Sequence, residues 1–283
     1  MRTFVSAVAV ILGVLLAAVA VPAIWLDRNI VQEDGFVSLA SPLGKDEAFQ
    51  QRLAGAAVGT IDTGAIPEAL AGLVQPVLDA AAGSMTRLPG YPAAWEETLR
   101  KSHRLSFADP RNLPPEVVST TSLTLDVAPL VALGTEEISK ATGLPLDPPG
   151  QTLINIGQSN QRQLIERVSA YAPLGYLLAV GVVIALLLAL VVARRRWAVI
   201  FNLGVAALLL AGLWTAGSQL AADAVLGAAS GNEVADMFKN EFVAAASNSF
   251  QEWTLASAIA GGALLVVGLV IRIASPGRRP VTR

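Results

Sequence analysis

Three consecutive arginines, Arg194, Arg195 and Arg196, separate two apolar runs, and no other feature constrains the fold of this chain as strongly. Residues 172–193 carry no charge and consist almost wholly of Leu, Val, Ile, Ala and Gly. At 1.5 Å per helical residue, such a run reaches across a hydrocarbon core of about 30 Å. Residues 197–220 read the same way and start directly after the arginines. The spacing therefore predicts two antiparallel transmembrane helices, 171–193 and 197–220, joined by a turn at 194–196. Cationic side chains in short loops stay on the cytoplasmic side, because moving them across during insertion is unfavourable. The arginine turn is thus expected to face the cytoplasm.

The rest of the chain agrees with a membrane protein. Its 283 residues are 53% hydrophobic, with a mean hydropathy of +0.56, which is too apolar for an ordinary soluble domain. Residues 4–26 form an uncharged run behind Arg2. This is longer than the apolar core of a signal peptide, about 7 to 15 residues, and predicts an uncleaved signal anchor over residues 1–26. Small residues at Ala18–Ala20 and Val21–Ala23 leave cleavage open as the alternative. Residues 253–274 supply a fourth span before a basic tail, 275–283. Four spans place both termini in the cytoplasm, and the expected location is a bacterial plasma membrane.

Charge then sorts by side. Eight of the 20 Lys and Arg residues, and no acidic ones, fall at Arg2, the turn and the stretch from Arg272 onward; the remainder carries 12 basic against 22 acidic residues, a balance of -10. That partition supports the predicted topology and argues against a nucleic-acid partner outside. The chain has no cysteine, which removes disulfides, thiolate catalysis and cysteine-ligated metals.

Between the first two spans, residues 27–170 have the mixed composition of a folded domain, expected outside the membrane. Phe49, Leu53, Ala57, Val58 and Ile61 recur at helical spacing behind Asp46 and Glu47. Pro67 opens a second predicted helix, kinked at Pro76. A third covers residues 92–107, with Trp95, Leu99 and His103 on one face. Leu123, Leu125 and Val127 alternate with Thr124 and Asp126, which predicts a strand with one buried face. A helix over 129–140, stopped by Gly143, and a second strand around Thr152, Ile154 and Ile156 follow. Strand, helix, strand predicts a parallel pair with a right-handed crossover. Residues 160–170 are amphipathic, and a single helix is expected to run from them into the second span through Pro173. Residues 221–252 form an outer helical loop carrying Met237, Phe238, Phe242 and Phe250. The expected fold class is an α-helical membrane protein, with four transmembrane helices and a mainly helical extracytoplasmic α+β domain bearing a two-stranded sheet.

One span, an outer helical domain and then three spans, together with Trp95 and His103 eight apart, Leu123 to Asp126 followed by Ala128, Pro129 and Leu130, and the Gly143 to Pro145 turn, resemble a group of actinobacterial integral membrane proteins. The resemblance implies a bacterial plasma-membrane location and carries over neither an activity nor a catalytic residue.

No residue set predicts catalysis. His103 is the only histidine, and zinc sites need three or four ligands, so a core histidine bonded to backbone and locking helix to strand is the expectation. The adjacent acids Asp46 and Glu47, Glu96 and Glu97, and Glu136 and Glu137 diverge by about 100° on a helix, so they predict solvated faces rather than converging dyads. Neither GxSxG nor SxxK accompanies Ser119 to Thr124. No ionisable residue lies at mid-depth in a span, which disfavours proton-coupled transport. Small residues recur four apart at Gly13 and Ala17, Gly181 and Ala185, Gly212 and Ala216, and Ser257 and Gly261. They predict close helix contacts, within the bundle or with another protein.

Trp95, His103, Asp126, Arg194, Arg195, Arg196, Gly212 and Gly261 are therefore the structural or interaction candidates, with no catalytic, cofactor or metal residue among them. The expected role is a non-enzymatic accessory or scaffolding subunit of an envelope or membrane-protein complex, respiratory or envelope-assembly machinery included. It would meet the lipid bilayer and a membrane-protein partner. The alternative is a lipid or small-solute handling component with an apolar pocket in the outer domain.

Overall fold

The computed structural model describes residues 2–59, 84, 87–108, 124–143, 147–148, 150–155, 162–228 and 233–274. The predicted helix at Pro67 to Leu78, Ser119 to Thr121 and the basic tail lie outside them. Four segments are long and apolar enough to cross a membrane: Arg2–Val31, Gln163–Val192, Arg196–Leu226 and Ala235–Ala274. The chain divides into two compact units, one of Met1–Asp27, Ala170–Asp223 and Ser247–Arg283, the other of Arg28–Ser169 and Ala224–Ala246.

The first unit is a bundle of helices. Helix α1 (Arg2–Leu26) packs against a later helix through small residues. In the numbering used below, α2 is Glu33–Ala40, α3 Glu47–Gly59, α4 Tyr91–Phe107, α5 Ala128–Thr142, α6 Arg162–Tyr171, α7 Leu174–Val192, α8 Arg196–Leu226 and α9 Glu233–Ala274. Helices α1 and α7 run antiparallel. The Ser6 hydroxyl donates to the Ala189 carbonyl at 2.9 Å near one end. A Cβ on Gly13 would stand 2.8 Å from Leu186, and one on Gly175 2.8 Å from the Ile24 nitrogen near the other end. Helices α8 and α9 pair likewise. A Cβ on Gly204 would meet the Gly261 carbonyl oxygen at 2.7 Å, and one on Gly268 the Phe201 nitrogen at 2.8 Å. Between lipid-facing helices, close backbone approach of this kind replaces the hydrophobic drive available in water. Trp214 Nε1 donates to the Ala18 carbonyl at 3.0 Å, and Trp25 Nε1 to the Ser249 hydroxyl at 3.2 Å, tying the two pairs together.

Gly212 departs from the small-residue expectation. A Cβ there would have nothing within 4 Å, so the Gly212 and Ala216 spacing makes no helix contact among the described residues. The working contacts on α8 and α9 are instead Gly204, Gly261 and Gly268. Gly261 and Gly268 stand seven apart and so share a helix face, a spacing present in the sequence.

Pro173 also departs from expectation. Helix α6 stops at Tyr171 and α7 starts at Leu174, with Pro173 as its N-cap. Proline has no N–H to continue the helical ladder and its ring crowds the preceding turn. The chain closes instead through three-residue turns, Gly175 N–H to Ala172 O at 3.0 Å and Tyr176 N–H to Pro173 O at 3.3 Å. The α-helical ladder is therefore interrupted at Ala172 and Pro173.

The second unit has a mixed α and β core. After a π-helical turn at Asp27–Val31, α2 and a 3₁₀ turn at Ser41–Lys45 contribute Val37, Ala40 and Leu43 to it. Asp46 Oδ1 accepts the Phe49 N–H at 2.9 Å, capping α3, whose Phe49 and Leu53 point into the same core. Proline sits in the first turn of both α4 and α5, where its missing N–H has no intrahelical partner to lose. Gly143 ends α5 in a left-handed conformation, φ 71°, with its N–H on the Ser139 carbonyl at 2.8 Å. From α9, Phe238 joins this core and Phe242 packs on it. The outer loop predicted at 221–252 is accordingly the end of α8 and the start of a single 42-residue helix.

Strands β1 (Thr124–Asp126) and β2 (Leu153–Asn155) pair antiparallel, Leu125 opposite Ile154, which corrects the predicted parallel crossover. A three-residue strand is only about 10 Å long, so the chain returning from α5 can enter from either end. Antiparallel entry lets the Val127 N–H reach the Thr152 carbonyl at 2.8 Å. The one-sided burial expected of β1 is corrected too, since Thr124, Leu125 and Asp126 are all buried.

Candidate functional site

Helix α4 organises the second unit. Trp95, Leu99 and His103 share its buried face as their spacing predicts, and Ser102 and Ser106 lie buried with them. Trp95 donates from Nε1 to the Ala40 carbonyl at 3.3 Å and meets the Phe49 ring edge-on at 5.7 Å. Gly44 permits this. A Cβ on Gly44 would stand 2.5 Å from the indole.

His103 bonds to backbone, but not to a strand. Its Nε2 lies 3.0 Å from the carbonyl oxygen of Ile30, in the π-helical turn. The last carbonyls of a helix have no intrahelical donor, so the imidazole satisfies a group that would otherwise be orphaned. The ring stacks on Phe107 at 4.3 Å and tilts against Phe36 at 5.1 Å. Burial pulls its pKa below the usual histidine value, outweighing the opposing pull of the Ile30 carbonyl and Glu33. His103 is therefore a neutral side chain joining two helical segments.

Ser102 makes the helix-to-strand lock that was expected of His103. Its hydroxyl donates to the Thr98 carbonyl at 2.6 Å and accepts the Asp126 N–H at 2.9 Å. Asp126 continues the relay, its Oδ1 accepting the N–H groups of Ala128 and Thr152, each at 3.1 Å. One buried carboxylate thus fastens the start of α5 and the approach to β2. Nothing in the sequence distinguishes Ser102 from other helical serines, whereas the Asp-x-Ala-Pro run at a strand-to-helix junction carries a turn signal for Asp126.

On the outside of α4, charges pair. Arg100 reaches Asp34 at 2.8 Å and Glu33 at 3.2 Å, and Arg104 reaches Glu97 at 3.2 Å and Glu33 at 3.4 Å. Asp34 and Glu33 hold the Arg100 guanidinium above its ordinary range. The divergence argued for neighbouring acids fails at one place. Glu136 and Glu137 both reach Lys140 Nζ, at 2.8 and 3.1 Å, because long side chains on the next turn compensate for the 100° between them. All three are exposed, as a solvated face requires. Among the described residues, no three His, Asp or Glu side chains come together as a metal site.

The other candidates sit at one end of the bundle. Arg194 and Arg195 lie in the short turn between α7 and α8, Arg196 opens α8, and all three are exposed. Arg272 stacks its guanidinium over the Trp197 ring at 5.1 Å. Gly261, further along α9, belongs to the helix contact described above.

The chain has no match among known protein families. Nor does any curated protein or solved structure match it.

Proposed function

We propose that this chain is a non-enzymatic, multi-pass plasma-membrane protein whose extracytoplasmic domain binds a partner, serving as an accessory or scaffolding subunit of an envelope or membrane-protein complex. The four apolar helices support a multi-pass protein. In this reading both termini and the arginine turn face the cytoplasm, and residues 27–170 stand outside, as in the actinobacterial group that the sequence resembles.

The observation that carries the reading is the use made of the reactive side chains. His103, Ser102 and Asp126, the groups from which a catalyst would be built, are buried and bonded to backbone. The alternative, a lipid or small-solute handling component, needs an open apolar pocket between helices and sheet. Trp95, Leu99 and Leu125 occupy that space at 1%, 0% and 1% exposure, which weighs against it.

Membranes dissolved in mild detergent provide the test. The proposal expects the chain to purify in fixed stoichiometry with a different membrane or envelope protein, and to lose it when the half-buried Arg100 and the exposed Arg104 are replaced by Glu. Purification of this chain alone contradicts the proposal.

A further inference from the structure

Within the four-helix unit, every described cation lies at one end and every carboxylate at the other. Arg2 begins α1, Arg194, Arg195 and Arg196 join α7 to α8, and Arg272 lies in the last turn of α9. The antiparallel contacts of Ser6 with Ala189 and of Phe201 with Gly268 bring these termini to the same end. Asp27 directly follows α1, Asp223 lies in the last turns of α8, and Glu252 lies near the start of the part of α9 that belongs to this unit, all far along their helices from the arginines. The five arginines are exposed and form no ion pair among the described residues.

The geometry points to a binding surface for an anionic phospholipid headgroup at this arginine end. Charge sorting during insertion accounts for the presence of the cations there. It does not account for their arrangement. Arg272 lies over the ring of Trp197, the residue following the arginine triplet, so α9 presents its guanidinium at the start of α8 where the triplet stands. Planar guanidiniums match phosphate oxygens through paired hydrogen bonds, and Trp197 is the residue type that settles at headgroup depth. The surface lies where spans leave the hydrocarbon, which favours a headgroup over a soluble anion.

The test places the purified full chain in phosphatidylcholine nanodiscs doped with phosphatidylglycerol and counts retained lipid by native mass spectrometry. Wild type should retain phosphatidylglycerol over phosphatidylcholine. Arg272→Gln should weaken retention about fivefold, the worth of one cation near an anionic surface. Trp197→Leu, which leaves every charge in place, should weaken it about threefold by freeing Arg272. Arg272→Lys should keep most of the retention, and Arg167→Gln, on α6 in the other unit, all of it. Unchanged retention in both Arg272→Gln and Trp197→Leu, with helical content intact, overturns the proposal. Loss in Arg272→Gln alone reduces it to a diffuse field without a positioned site and overturns it as stated. Displacement of the lipid by millimolar inorganic phosphate assigns the surface to a soluble anion and overturns the lipid assignment.

Discussion

In the unit of Arg28–Ser169 and Ala224–Ala246, Trp95, Ser102, His103 and Asp126 are buried, and each reaches backbone in another segment through a side-chain hydrogen bond. In the bundle unit glycines stand where helix meets helix, and a Cβ on Gly204 or Gly175 would come within 2.7 Å of the Gly261 carbonyl oxygen or 2.8 Å of the Ile24 nitrogen. The contrast matches the solvents the proposed topology assigns, lipid for the bundle and water for the second unit. In water, burying large apolar surface drives packing, and polar groups taken inside must be bonded or they cost about 1 to 3 kcal/mol each. In lipid that drive vanishes between helices, and stability comes from how closely backbones approach. The second unit is thus held mainly by side chains that fill and bond its core, whereas the bundle adds to the hydrogen bonds of Ser6, Trp25 and Trp214 the close helix approach that Gly175, Gly204 and Gly268 allow.

Substitutions should therefore act differently in the two units. Trp95→Ala removes the largest fully buried side chain among the described residues and should destabilise the second unit by about 3 to 5 kcal/mol, read by urea denaturation of the full chain in detergent. Asp126→Ala leaves the Ala128 and Thr152 N–H groups without their acceptor and should cost about 2 to 4 kcal/mol, while Asp126→Asn, which keeps an acceptor oxygen, should cost less. In the bundle, Gly204→Ile forces α8 from α9 and should cost about 1 to 3 kcal/mol, whereas Gly212→Ile, open to its surroundings, should change little. Equal effects at Gly204 and Gly212 would remove the close-approach account.

The smallest effect sharpens the polar side of the comparison. His103 has a lower pKa folded than unfolded, so below about pH 6.5 the unfolded chain binds a proton that the folded chain refuses. Stability contributed by the neutral ring is therefore complete above that pH and declines as pH falls from there toward the folded pKa. The decline is at most about 1.4 kcal/mol per pH unit. Wild type should lose melting temperature between pH 7 and pH 5.5 by more than His103→Gln does, and a parallel decline in the two would contradict the assignment. His103→Ala should lower melting at pH 7 as well, through the lost bond to Ile30.

Sequence pattern carried the bundle further than the second unit. Long uncharged runs admit one solution in lipid, and the four predicted spans correspond to the four apolar segments. Periodicity likewise located α4 and its Trp95, Leu99 and His103 face, and Gly143 marked the end of α5. Strand direction was not legible. Three-residue strands carry too little pattern to fix it, and burial on both sides of β1 erases the alternation. The partners of His103 and Ser102 were equally hidden, because Ile30 and Asp126 are 73 and 24 residues away and are met through backbone, which has no sequence identity. The break at Pro173 is marked in the sequence by the proline itself, whose missing N–H ends the ladder there.

The proposed topology keeps the arginine end of the bundle in the cytoplasm and exports the domain built on α4. The chain contains no cysteine, so single cysteines report without background. In intact cells, a membrane-impermeant maleimide should label Glu136→Cys, on the exposed face of α5, and leave Ala193→Cys, in the arginine turn, unlabelled until the membrane is opened. Labelling of Ala193→Cys with protection of Glu136→Cys would invert the topology and contradict the account.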